Sequence, residues 1–145
     1  MYLHMRCAEE LLPTEGRLRY EVIEWLFWGS SGFSSQVKLF GFYYHYCPHS
    51  LPYCVNRYTR EVCRLLEVLE KQLSAHGKHW VVGDMYSVAD ICIFPWVYAL
   101  HEFYGGAVEH AFAKMNSYPH VNAWYTRCRA RPAVQKGLDV TPFLA

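Results

Sequence analysis

The residues best suited to chemistry crowd into one short stretch, YYHYCPHSLPYC, from Tyr43 to Cys54. His45, Cys47, His49 and Cys54 are imidazoles and thiols of the kind that hold zinc. Structural zinc sites space their ligands as C-x₂₋₄-C, which turns both members of a pair toward one ion. His-x-Cys-x-His is tighter, and alternate residues at a helix end point in different directions. The spacing argues against a metal, and Pro48 and Pro52 mark the stretch as a helix-to-helix turn. The other six of the eight histidines are spread widely. The chain has no phosphate-binding glycine loop, no H-E-x-x-H pair and no Ser-centred elbow. None of the six cysteines belongs to a C-x-x-C pair, and none has the Lys, Arg or helix-start setting that lowers a thiol pKa. Cys63 and Cys92 read as packing residues. No catalytic residue emerges from the pattern.

What positions these side chains is a single domain of 145 residues, 52% hydrophobic and 17% aromatic. The net charge of +1 comes from 14 basic and 13 acidic residues that interleave. That balance argues against a nucleic-acid partner held by phosphate neutralisation. No run reaches the roughly 18 apolar residues of a membrane helix. Scattered cysteines point to a reducing compartment, the cytosol.

Strand signals are weak and helical ones strong, so the sequence predicts an all-α chain of about six or seven helices. Val62, Leu65, Leu66, Leu69 and Leu73 recur at three and four spacings, giving one apolar stripe on a helix from about Tyr53 to His76. Arg60 and Arg64 fall on its other faces, and Gly77 is its expected stop. SVAD, from Ser87, is a capping box in which Ser87 and Asp90 satisfy each other's backbone. The helix it starts, VADICIFPWVYALHEF, is apolar nearly all round, which predicts burial at the centre of a bundle. Pro95 should kink it. YEVIEWLFW, from Tyr20 to Trp28, is a further buried helix, bent by GSSG and resuming to about Tyr46. Near the C-terminus a helix from about Pro119 breaks near Arg131, and a short one begins with Pro132.

These residues resemble a known family. WVVGDMYSVADICIFPW, from Trp80 to Trp96, resembles the signature of the glutathione S-transferase C-terminal domain, an all-helical bundle. YPHVNAWYTRCRARPAVQKGL resembles its last helices. EWLFWGSSGF and NRYTREVCRLLEVLEKQL are similar to the nu-like branch, which includes glutathione-dependent disulfide-bond oxidoreductases. The resemblance implies that residues 1–12 are a remnant of the last helix of a thioredoxin-like domain plus linker. Residues 13–145 are then the helical domain, with the thioredoxin-like domain missing. It implies glutathione as co-substrate, no metal, a small electrophile or disulfide as second substrate, and a homodimer. Arg57 matches an Arg that contacts glutathione, the alternative being a surface Arg paired with Glu61. Trp28 and Phe33 are candidates to line the second-substrate pocket, the alternative being core aromatics. Ser87 and Asp90 are the structural cap. Where that branch usually has a Gln after the second Trp, this chain has Gly29. On this reading the chain forms the second-substrate wall and dimer contact of a glutathione-dependent transferase or disulfide reductase, not catalytically complete alone. The alternatives are a non-enzymatic interaction module or a truncated product of a longer enzyme.

Overall fold

The computed structural model describes residues 11–75, 79–104 and 118–140. The expected stop at Gly77, together with His4, Cys7, His76, His110 and most of the 1–12 segment, lies outside the described residues. Among the described residues the structure is helical with no strand.

The first long helix comprises α1 (Gly16–Phe27), a π-helical stretch (Trp28–Phe33), α2 (Ser34–Gly41) and a second π-helical stretch (Phe42–Tyr46). The GSSG segment therefore widens the helix rather than breaking it. A serine run makes this possible, because a hydroxyl can bond back one turn and compete with the backbone. Ser31 donates to the Phe27 carbonyl and Ser35 to the Ser31 carbonyl, each at 2.6 Å. Gly29 is required for a second reason. A Cβ there would lie 2.7 Å from Cγ1 of Ile93, so the glycine lets two helices touch. The helix ends on a bond from Cys47 N–H to the Phe42 carbonyl at 2.8 Å, before Pro48.

Helix α3 (Pro52–Ser74) opens with proline in its first turn and buries Val62, Leu65, Leu66, Leu69 and Leu73, the stripe read from the spacing. Helix α4 (Val88–Glu102) runs through Pro95 as one span. The tight turn before it places Gly83 at φ 63°, a conformation suited to glycine, and the Gly83 carbonyl accepts from Trp80 N–H at 3.1 Å. Helices α5 (Pro119–Arg129) and α6 (Pro132–Val140) follow, separated at Ala130 and Arg131. α2 packs on α3, α1 on α4, and α5 on both α3 and α4. The core where they meet includes Phe33, Phe40, Leu66, Leu69, Ile93 and Trp124.

One expectation is corrected. α4 buries Ala89, Asp90, Ile93, Phe94, Val97 and Leu100, but it is not enclosed on every side. Ile91 keeps 36% of its surface, Pro95 is exposed and Tyr98 is half-buried. These positions are four and three apart, so they form one uncovered stripe.

Candidate functional site

Helix α3 presents its leucines to the core and its arginines to the opposite side. Arg57, Arg60 and Arg64, at spacings of three and four, share that outer face. With Tyr53 and Glu61, and with Gln36 from α2, they line a hollow of about 540 Å³. Glu61 is engaged by Arg64: Nε donates to Oε2 at 2.9 Å and a terminal nitrogen to Oε1 at 2.6 Å. This two-pronged hydrogen bond holds the Glu61 carboxyl below its usual value, against a smaller opposing effect of burial. Arg57 makes no hydrogen bond to Glu61 among the described residues, and its charge adds a smaller lowering of the Glu61 carboxyl. Arg57 and Arg60 make no hydrogen bond or ion pair among the described residues. Two guanidiniums with free N–H forks in one hollow are suited to a ligand with carboxylates. Sequence reasoning singled out Arg57 and placed Arg60 only on a face of the helix away from the leucine stripe. The signal for the hollow was the three-and-four arginine spacing.

The aromatic candidates are paired but divided in setting. Trp28 and Phe33 stack with centroids 5.3 Å apart and planes 10° apart, and Trp25 packs on Trp28 at 4.9 Å. Phe33 is completely buried, so it takes the core alternative, whereas Trp28 is half-buried and retains surface. Neither lines the basic hollow.

The histidine and cysteine stretch spans the end of the first long helix and the start of α3. Tyr43, Tyr44, Cys47, His49 and Asn56 help line a hollow there of about 420 Å³. Among the described residues no group of three or more His, Cys, Asp and Glu side chains is placed to hold a metal. Burial pushes the Cys92 and Cys128 thiols up, away from the thiolate a nucleophile needs.

A structural node supports both faces. Asp90 is fully buried at the start of α4. Its Oδ1 accepts from Val81 N–H at 3.0 Å and from Trp124 Nε1 at 2.8 Å. Its Oδ2 accepts from Ser87 N–H at 2.9 Å and from the Ser87 hydroxyl at 3.0 Å. Burial pushes the carboxyl up while all of these donors pull it down.

At the other end of α4, His101 stacks on Tyr125 with centroids 4.2 Å apart. Glu102 accepts from the Tyr125 hydroxyl at 3.0 Å and from Arg129 at 2.8 Å. Burial lowers the His101 pKa below 6.5; Arg129 lowers it further, and Glu102 and Asn122 oppose. The unfolded chain therefore takes up this proton more readily than the folded one. The stability contributed by a neutral His101 is complete above the ordinary histidine value and is lost as pH falls below it. The melting temperature should drop between pH 7.5 and 5.5, and His101→Gln should flatten that slope. Equal slopes for both proteins would refute the assignment.

Alongside α4 and α6 lies an apolar groove of about 570 Å³, lined by Leu11, Ile91, Pro95, Tyr98, Val134 and Leu138 among others. Arg131 stands in its wall, its guanidinium carbon 3.8 Å from the Tyr86 ring centroid and 5.6 Å from that of Trp80.

Residues 49–132 match the family "Glutathione S-transferase, C-terminal domain". The disulfide-bond oxidoreductase YghU of Escherichia coli is 40% identical over 127 residues, covering 87% of this chain and 43% of the relative. A GST-like protein of Streptococcus mutans is 36% identical over 132 residues, covering 90% and 49%. The chain thus spans about half the length of these curated relatives. Among solved structures, a Burkholderia graminis glutathione transferase with two glutathione molecules bound per subunit superposes with TM-score 0.85 at 34% identity, covering 99% of this chain and 58% of that one. The glutathione transferase YghU of Streptococcus pneumoniae, complexed with glutathione, gives 0.84 at 36% identity, covering 97% and 52%.

Proposed function

The chain belongs to the glutathione S-transferase family through its C-terminal helical domain, and from that premise we propose that it is the helical half of a glutathione-dependent transferase or disulfide reductase. The observation that carries this reading is the basic hollow, where Arg57 and Arg60 make no hydrogen bond or ion pair among the described residues. Glutathione has a carboxylate at each end, and a guanidinium fork grips a carboxylate through two parallel hydrogen bonds. Arg57 is the residue we assign to glutathione. Trp28 is the remaining candidate for the wall against the second substrate, a small electrophile or a disulfide. The exposed Phe42 and Tyr46, four positions apart on one helical stretch, provide apolar surface suited to a dimer contact.

On this reading the helical half binds and orients but does not activate. Thiol chemistry requires a group that lowers the thiol pKa. The buried, upward-shifted Cys92 and Cys128 are not such groups. A thioredoxin-like half is the proposed source of that activation, acting in the cytosol.

Titration of the isotope-labelled chain with glutathione, followed by nuclear magnetic resonance, tests the reading. Saturable shifts of the Arg57 and Arg60 side-chain signals in the millimolar range are expected, without conjugation of a small electrophile. No shift in the hollow would defeat the glutathione assignment. Turnover by the chain alone would defeat the incomplete-enzyme reading.

A further inference from the structure

We propose that the basic hollow on α3 also takes a phosphate monoester of a flat ring, its dianionic phosphoryl group seated between Arg57 and Arg60. The inference goes beyond the glutathione reading and shares only its hollow.

Charge selects the group. The segment RYTREVCR puts Arg57, Arg60 and Arg64 on one face of α3, and side chains three or four apart on a helix stand about 5–6 Å apart at Cβ. Glu61 is the one carboxylate lining the hollow, so three guanidiniums against one carboxylate leave a charge of +2 there. Both Glu61 oxygens already accept from Arg64, at 2.9 and 2.6 Å. The surplus therefore sits on two neighbouring guanidiniums, Arg57 and Arg60. Glutathione brings two carboxylates but also an ammonium, and its single net negative charge offsets half of that surplus. A phosphate monoester is a dianion above its second pKa of about 6 and offsets all of it. Its oxygens can accept from both guanidinium forks at once, the recognition for which arginine is suited.

Packing adds a further donor. Gln36 reaches the hollow from α2, which packs against α3. It is half-buried and makes no hydrogen bond among the described residues. Polar groups withdrawn from water ordinarily find a partner. The carboxamide N–H can donate to the phosphoryl oxygen that the arginines leave open. Tyr53 lines the same hollow from the first turn of α3 and is 76% exposed. The hollow, at about 540 Å³, has room for more than a bare phosphate. A flat ring on the ester fills that room by stacking on the Tyr53 phenol.

The test is nuclear magnetic resonance of the isotope-labelled chain at pH 7.5, in phosphate-free buffer of fixed ionic strength without glutathione. Phenyl phosphate, inorganic phosphate and dimethyl phosphate are the three probes. Phenyl phosphate should shift the Arg57, Arg60 and Gln36 side-chain signals saturably. Inorganic phosphate should bind roughly threefold to tenfold more weakly, because it lacks the ring. Dimethyl phosphate carries a single charge and should bind at least about tenfold more weakly than phenyl phosphate. Gln36→Leu and Arg60→Gln should each weaken phenyl phosphate about tenfold. Tyr53→Ala should reduce it to the affinity of inorganic phosphate. The absence of saturable shifts overturns the proposal, and so does dimethyl phosphate binding as tightly as phenyl phosphate. Equal affinities for phenyl and inorganic phosphate overturn the ring assignment. Unchanged affinity in both the Gln36 and Arg60 variants, with native circular dichroism spectra, places the ligand elsewhere and overturns the site. No probe contains glutathione, so the result stands or falls apart from the glutathione titration.

Discussion

Asp90→Ala should be the most damaging polar substitution in the chain. The change removes a buried acceptor from Val81 N–H, Ser87 N–H, the Ser87 hydroxyl and the Trp124 indole. Loss of a capping residue alone costs about 1 kcal/mol. Each buried donor left without a partner costs about 1–3 kcal/mol, and the terms are not additive because the donors share one carboxylate. We expect a total of about 3–5 kcal/mol, within the range reserved for broken buried networks. For a domain of this size that corresponds to a fall of about 10–15 °C in melting temperature. Asp90→Asn should cost less. Its carbonyl can still accept from Val81 and Trp124, and the Ser87 hydroxyl can rotate to accept from the new amide. Only Ser87 N–H then faces a donor. Thermal denaturation followed by circular dichroism gives the order wild type, Asn, Ala. An Ala variant as stable as the wild type would refute the node, and an Asn variant as damaged as Ala would refute the division of labour between the two oxygens.

This node explains why so much of the fold was legible. The Ser87–Asp90 capping box is a local pattern, and so is the leucine stripe of α3. Both depend on spacings within one helix, which the linear sequence displays directly. What the local pattern omits is the reach of Asp90 to Val81 and to Trp124. Those contacts join a turn and two helices, and nothing in the spacing of SVAD announces them. The same distinction holds for GSSG. Glycines and serines signal a weakened helix, and here the hydroxyls and the close approach at Gly29 resolve that weakness into a π-helical stretch. The stack of Trp28 on Phe33 was also beyond the sequence, because two aromatics five positions apart adjoin only when the helix is widened between them.

The candidate site was legible in part for a related reason. Arg57 stood out through a resemblance, whereas Arg60 and Gln36 belong to the hollow only because α2 packs against α3. The groove was hidden differently. Periodicity correctly marks α4 as apolar all round, and that pattern describes the helix in its fully covered state. The exposed Ile91 is the difference between that state and this chain.

Arg57→Ala should weaken glutathione about 10–100-fold, because a hydrogen bond to a charged group is worth about 1.5–3 kcal/mol. For a ligand bound in the millimolar range, that removes saturation from the titration. Arg57→Lys should lie between, since an ammonium keeps the charge and loses the planar fork. The sharper test uses Arg64, which is occupied by Glu61 and so contributes little to the ligand directly. Glu61 can choose between Arg57, four residues before it, and Arg64, three residues after it. A helix favours the acid placed ahead of the base, as Glu61 is ahead of Arg64. Removing that partner in Arg64→Ala frees Glu61 to turn toward Arg57, which quenches the guanidinium the ligand needs. Affinity should therefore fall severalfold, and Glu61→Ala added to Arg64→Ala should restore it. Were Arg64 itself a ligand contact, the second substitution would rescue nothing, and the assignment of Arg57 and Arg60 as the free pair would be wrong.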